Sequence, residues 1–123
     1  MNVLGIDIGG SGVKGAIVDI KSGELLSEKI RFPTPNKPTP KKIFDGIKSN
    51  ILDELKWDGN VGCGFPGVVK KNKIYSAANI EKKWIGLNLK KKVRKKFNLR
   101  CKAINDADAA GLSEIALNPN VVK

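Results

Sequence analysis

Apolar and polar positions follow two different periods along the chain. Val3, Leu4, Ile6 and Ile8 make a short apolar strand that stops at Gly9-Gly10-Ser11-Gly12. Residues 13–20 read as a second strand, with Val13, Ala16, Ile17, Val18 and Ile20 as its apolar content. After the turn at Lys21-Ser22-Gly23, residues 24–32 read as a third. Short glycine-bearing connections favour antiparallel hairpins. Pro33, Pro35, Pro38 and Pro40 then interrupt any hydrogen-bonded ladder and predict an exposed, stiff loop.

Beyond the prolines the period lengthens. Ile43, Phe44, Ile47, Ile51, Leu52 and Leu55 fall on one side of a helix over 41–57. Val61 to Phe65 reads as a buried strand ended by Pro66-Gly67, and 68–76 as a small hairpin arm around Lys71-Asn72. A second helix starts near Asn88, with Leu89, Val93 and Phe97 at i, i+4 and i+8. Cys101 to Ile104 is a further strand, and Asn105-Asp106 opens a helix that runs to about Leu117. The order β-β-β-α-β-α-β-α predicts an α/β fold, a mixed five-stranded sheet with helices on both faces.

Composition removes several kinds of chemistry. The 123 residues include no histidine, which excludes an imidazole base, Ser-His-Asp and Cys-His pairs and HExxH zinc sites within this chain. The two cysteines, Cys63 and Cys101, lie in apolar strand-like runs without metal-binding spacing, and read as buried free thiols. Asp7 breaks the first apolar run, so the start does not read as a signal peptide. No apolar run reaches membrane-spanning length. The expectation is a cytoplasmic chain without membrane contact.

Charge is concentrated rather than spread. The net charge is +11, and residues 90–102 hold eight Lys/Arg and no acid, which leaves +3 for the other 110 residues. One basic patch of this kind suits a polyanionic partner. A solvated helix face is the plainer reading.

Three segments carry candidate chemistry. In the run from Gly5 to Gly15, a carboxylate at a strand end precedes a glycine turn. The N–H groups of Gly9, Gly10 and Ser11 can cradle phosphate oxygens, and Lys14 adds a point charge. Asp7 can hold Mg²⁺ through water. The run is neither a Walker A loop nor a Rossmann fingerprint, and a plain hairpin of type I′ or II′ would also use such glycines. In the second segment, Asn105 to Gly111, Asp106 stands at the carboxyl end of a strand. There it can line a ligand crevice and take a proton from an attacking alcohol, or it can simply cap the helix. The third comprises Gly64-Phe65-Pro66-Gly67 and Ser76 to Gly86, where Asn79 can bind hydroxyls and Trp84 either stacks on a sugar or anchors the loop to the core.

In this order and spacing, the motifs resemble the N-terminal half of a ROK-family sugar kinase, over about residues 3–115. The carrying residues are Ile6 to Gly15, Pro33-Thr34-Pro35, Gly64 to Gly67, Ala77-Ala78-Asn79, Trp84-Ile85-Gly86 and Asn105 to Gly111. Within that family the wording is similar to polyphosphate glucokinases. The resemblance implies the actin-like, ribonuclease-H-like ATPase fold, with residues 1–118 as the N-terminal lobe and 119–123 as the start of an interdomain linker. The family's second lobe, with its further phosphate loop and histidine-bearing sugar motif, is absent from this chain.

The resemblance also implies roles. Asp106 matches the catalytic base acting on the glucose 6-hydroxyl, and Asn105, Asn79 and Gly67 match positions that line the sugar pocket. Gly9, Gly10, Ser11 and Lys14 match the first phosphate motif, and Asp7 its Mg²⁺ position. The implied partners are glucose with polyphosphate or ATP, and a homodimer of the whole kinase. One lobe cannot close over both substrates, so the isolated chain is expected to be inactive. In this setting Lys91, Lys92 and Lys95 form a candidate polyphosphate stripe. Two other readings stand beside it. One is a non-enzymatic ROK-type module that binds a sugar or polyanion. The other is a basic nucleic-acid binder, disfavoured because aromatic interleaving is lacking and no recognised nucleic-acid motif is present.

Overall fold

The computed structural model describes residues 2–67, 69–77, 80 and 82–105, the last four of these by backbone alone. Its first hairpin is β1 (Asn2–Ile8) and β2 (Gly12–Asp19), paired antiparallel from Asn2↔Asp19 to Ile8↔Val13. Strand β3 (Ile30–Pro33) adds to the outer side of β2. It is shorter than the predicted 24–32. Leu25 makes only an isolated bridge to Val18, and the Ser27 hydroxyl accepts the Ile17 N–H at 2.8 Å, displacing a ladder bond.

Of the four prolines, Pro33 ends β3 and Pro40 begins α1 (Pro40–Ile47), where its missing N–H costs nothing. Thr39 caps this helix. The predicted continuous helix over 41–57 is broken. After α1 comes a π-helical turn at Lys48–Leu52 and then α2 (Asp53–Leu55), closed by left-handed Lys56. The cause is side-chain competition: the Asn50 amide and Ser49 hydroxyl donate to the carbonyls of Gly46 and Asp45, which loosens the i→i−4 pattern.

Strand β4 (Val61–Phe65) lies parallel to β1, and β7 (Cys101–Asn105) parallel to β4, giving the order β3-β2-β1-β4-β7. Between β4 and β7 the chain forms the hairpin β5 (Val69–Lys70) and β6 (Lys73–Ile74), turning at left-handed Lys71 and Asn72. A 3₁₀ turn at Lys82–Trp84 and helix α3 (Leu89–Phe97) follow. The Asn88 side chain accepts the Lys91 N–H to start α3, and left-handed Asn98 ends it.

One core fills the side of the sheet where α1 and α3 pack. Leu4, Ile6, Ile8, Val13, Val61, Cys63 and Phe65 meet Ile43, Phe44, Ile47, Ile51, Leu89 and Val93. Phe44 contacts Phe97 at 5.8 Å between ring centroids, so both helices share that face. Helices on both faces were expected; the helix predicted to follow Asp106 lies outside the described residues. Trp84 is fully buried against Phe44 and Phe65, and its indole N–H donates to the Pro38 carbonyl at 2.8 Å. It therefore anchors the proline loop to the core and is not a sugar-stacking ring. Cys63 and Cys101 are buried free thiols.

Candidate functional site

The parallel register brings the chemistry to one edge. Asp7 pairs with Gly64, Gly64 with Ile104 and Phe65 with Asn105. The exits of β1, β4 and β7 therefore stand side by side at their carboxyl ends, about 5 Å apart from strand to strand. That is where open α/β sheets hold ligands. The glycine turn leaves β1 here, Gly67 leaves β4, and Asn105 closes β7.

Asp7 sits on the face away from α1 and α3. Its cross-strand neighbours are Lys14 on β2 and Gly64 on β4. The Lys14 ammonium lies 3.9 Å from the Asp7 carboxylate, with side-chain exposures of 40% and 23% respectively. A carboxylate so shielded yet reachable can face a ligand without being spent on solvent. Gly5, Gly62 and Gly64 surround it without side chains, since β4 alternates glycine with Cys63 and Phe65. This Gly-x-Gly alternation in β4 was a signal that strand periodicity alone passed over.

The turn glycines serve close approach. None of Gly9, Gly10 and Gly12 has a left-handed φ, so the turn is not of type I′ or II′. Gly9 N–H donates to the Gly12 carbonyl at 3.0 Å, and a Cβ on Gly9 would stand 2.8 Å from that oxygen. Thr34 braces the turn from the proline loop: its hydroxyl donates to the Gly9 carbonyl at 2.6 Å, and its N–H reaches the Ser11 carbonyl at 3.4 Å. Gly10 and Ser11 remain exposed at the tip.

Arg31 was missed by sequence reasoning. It pairs with Lys14 across β2 and β3, so Asp7, Lys14 and Arg31 form a row on one face. Its guanidinium covers Gly12, where a Cβ would meet Nε at 2.7 Å. Two adjacent cations beside a glycine turn make an anion-attracting corner. Only the strand register brings Arg31 there, and nothing local in the sequence signals it.

Gly67 is fixed by contact: a Cβ there would lie 1.9 Å from the Ser76 carbonyl oxygen, so the exit of β4 and the segment after β6 touch through backbone. Asn79 and Asp106 lie outside the described residues, and Asn105 is placed by its backbone. Of the candidate stripe, Lys91 and Lys95 are exposed on α3, while Lys92 is half-buried on its flank. A cleft of about 340 Å³ between Trp57, Phe97, Lys48 and Lys96 opens at the opposite edge of the sheet and contains none of the predicted site residues.

The donor set fits a water-held Mg²⁺. Among the described residues no group of three His, Cys, Asp or Glu side chains could cage a metal. One carboxylate beside a phosphate-binding turn is what Mg²⁺ accepts when phosphate and water supply its other ligands. Among the described residues no helix is long and apolar enough to cross a membrane.

Known proteins share this fold. The chain is 40% identical over 112 residues to a polyphosphate glucokinase of Mycobacterium tuberculosis, which covers 90% of this chain and 42% of the relative. It is 35% identical over 117 residues to a glucokinase of Streptomyces coelicolor, covering 90% and 34%. Among solved structures, an inorganic polyphosphate/ATP-glucomannokinase from Arthrobacter sp. strain KM superposes with a TM-score of 0.82 at 37% identity, over 94% of this chain and 48% of that one. A ROK-family glucokinase from Streptomyces griseus, in complex with glucose and AMPPNP, gives 0.74 at 32% identity, over 87% and 34%. The chain thus spans less than half the length of these relatives. Its fold is that of the ROK sugar kinases, the actin-like ATPase fold. The ROK family profile matches residues 3–120, nearly the whole chain, and the chain belongs to the ROK family.

Proposed function

We propose that this chain is the N-terminal lobe of a two-lobe cytoplasmic kinase that transfers a phosphoryl group from polyphosphate or ATP to the 6-hydroxyl of glucose. Residues 1–118 form the lobe, 119–123 begin the linker, and the whole kinase works as a homodimer. The observation that carries the reading is the edge where Asp7, the braced Gly9–Gly12 turn, Gly67 and Asn105 converge on adjacent parallel strand ends.

Each residue then has a job. The N–H groups of Gly10 and Ser11, with Lys14 and Arg31, hold the donor's phosphate oxygens, while Gly9, whose N–H is engaged by the Gly12 carbonyl, shapes the turn. Asp7 holds Mg²⁺ through water, and the ion, when bound, supplies neutralising charge to those oxygens. Asn79, Asn105 and the Gly67 backbone orient the sugar. The Asp106 carboxylate takes the proton of the 6-hydroxyl as the new O–P bond forms. The bond from phosphorus to the leaving phosphate breaks with its electron pair going to the leaving oxygen. Positioning and charge stabilisation supply most of the rate.

The test is product formation. The full-length protein, given glucose, Mg²⁺ and either donor, is expected to yield glucose 6-phosphate, with residues 1–123 alone showing negligible turnover. Absence of product with both donors contradicts the reading. A full-length protein that binds glucose or polyphosphate without turnover would instead be a binding module.

A further inference from the structure

We propose that the outward side of α3, together with the β5–β6 hairpin at its head, is the docking surface for an extended inorganic polyphosphate chain. This rests on the phosphoryl-transfer reading above and says where a long donor lies beyond its reacting end.

Helical geometry separates the basic residues by role. Leu89 and Val93 are buried against the sheet, so at 100° per residue Lys91 and Lys95 point directly away from it, one turn apart, with Arg94 beside them. Lys96 lies on the inward flank and is engaged by Asp45 of α1 at 2.6 Å, which removes it from the surface set. The hairpin continues the outward ridge. Leu89 N–H donates to the Asn72 carbonyl at 2.8 Å, and a bridge joins Lys73 to Asn88. Lys70 and Lys71 are thereby held at the start of α3, and both are exposed.

Among the described residues no acid pairs with the outward side of this ridge. Residues 69–105 contain 13 Lys/Arg and a single acid, Glu81. Among the described residues, Lys70, Lys71, Lys91, Arg94 and Lys95 make no ion pair. The last turn of α3, with Arg94, Lys95 and Lys96, suits the negative end of the helix dipole, but the first turn does not suit the positive end. Lys90 and Lys91 stand in its first turn, which has no acid, against the positive end of the helix dipole. Lys91 and Lys95 repel each other one turn apart. A linear polyanion laid along the ridge relieves both conflicts, and a local rule broken without internal compensation marks functional surface.

Polyphosphate fits better than nucleic acid. Single-stranded nucleic acid binds by stacking bases on aromatic rings as well as by charge. The one aromatic ring of α3, Phe97, is turned inward against Phe44. The outward face of α3 offers charge alone, which suits a polymer that is charge alone, and the exposed Tyr75 beside the hairpin has the Lys73 ammonium 5.7 Å from its ring centre. Because β4 leads directly into the hairpin and α3 starts against it, the ridge begins at the same carboxyl edge as the Asp7 turn.

The experiment uses the full-length protein with Lys71→Glu, Lys91→Glu and Lys95→Glu combined, and a second triple variant to Gln. Titration calorimetry with long-chain polyphosphate reads binding directly. KM is measured in parallel for long-chain polyphosphate, tripolyphosphate and ATP. The proposal predicts at least a tenfold rise in Kd and KM for the long chain and a smaller rise for the Gln variant. The log–log salt dependence of Kd becomes shallower by roughly 2, at about 0.7 per lost phosphate contact. ATP and tripolyphosphate kinetics stay within twofold, which also reports that the variant is folded. Unchanged long-chain binding overturns the proposal and leaves the kinase reading intact. Duplex DNA displacing polyphosphate at equal phosphate concentration overturns it too, making the ridge a general polyanion surface. Loss of binding in a protein without kinase activity supports the docking surface and contradicts only the kinase reading.

Discussion

Arg31 shows how one residue acquires a role through register alone. Its pairing with Lys14 sets two cations side by side next to the glycine turn, an arrangement that an anion stabilises. Arg31→Met keeps the apolar stem and removes the guanidinium. The expected outcome in the full-length enzyme is a rise of about tenfold in donor KM, since hydrogen bonds to charged groups contribute about 1.5–3 kcal/mol. Glucose KM should stay within twofold. Gly67 makes the opposite case, where the backbone leaves no room for a side chain. Gly67→Ala places a Cβ 1.9 Å from the Ser76 carbonyl oxygen, and backbone must move. Chemical denaturation is expected to show a loss of about 1–3 kcal/mol, with glucose KM rising more than donor KM. The sequence made Asp7, the glycine turn and Lys14 legible because they lie within eight residues of one another. Arg31 and the brace from Thr34 were not legible, because each reaches the turn from a distant part of the chain.

At the level of elements, periodicity located every described segment of the main sheet, and local hydrogen bonding decided where each ended. Strand β4 was bounded by its apolar run and Pro66, whereas β3 lost its first residues to the Ser27 hydroxyl and the long helix lost its regularity to Ser49 and Asn50. Side chains that compete for backbone groups leave no trace in a hydrophobic pattern. The contact between α1 and α3 adds an electrostatic term. Asp45 accepts from Lys41 at 2.8 Å and from Lys96 at 2.6 Å. These hydrogen bonds, first from Lys41 and then from Lys96, hold its carboxyl at about 2, below the ordinary 3.8. A carboxyl lowered by folding stabilises the fold above its ordinary value, and this contribution disappears as pH falls from about 3.8 towards about 2. Asp45→Asn is therefore expected to flatten that part of the stability–pH curve and leave its slope near neutrality unchanged. A thermal-melt series from pH 2 to pH 7 checks this; an unaltered acid limb would mean that the carboxylate pairs equally well in the unfolded chain.

For the whole molecule, the parallel pairing of β1, β4 and β7 does the decisive work, because it turns three motifs separated by up to a hundred residues into one edge. Their shared location was readable from the family resemblance; the physical reason for it, side-by-side strand exits, became visible only with the register. The basic helix was equally plain in composition, but its division into an outward ridge and an inward Lys96 needed the packing of α3 on α1. On the proposed function Asp106, next in sequence to Asn105 at the end of β7, deprotonates the sugar hydroxyl during phosphoryl transfer. The most direct measurement is steady-state kinetics of glucose phosphorylation by the full-length protein and its Asp106→Asn variant, with glucose affinity measured separately by calorimetry. The expected result is a fall in kcat of about 10²–10⁴-fold, the usual worth of a general base, with glucose Kd changed by less than a few-fold. A variant that phosphorylates glucose at the parent rate would contradict it.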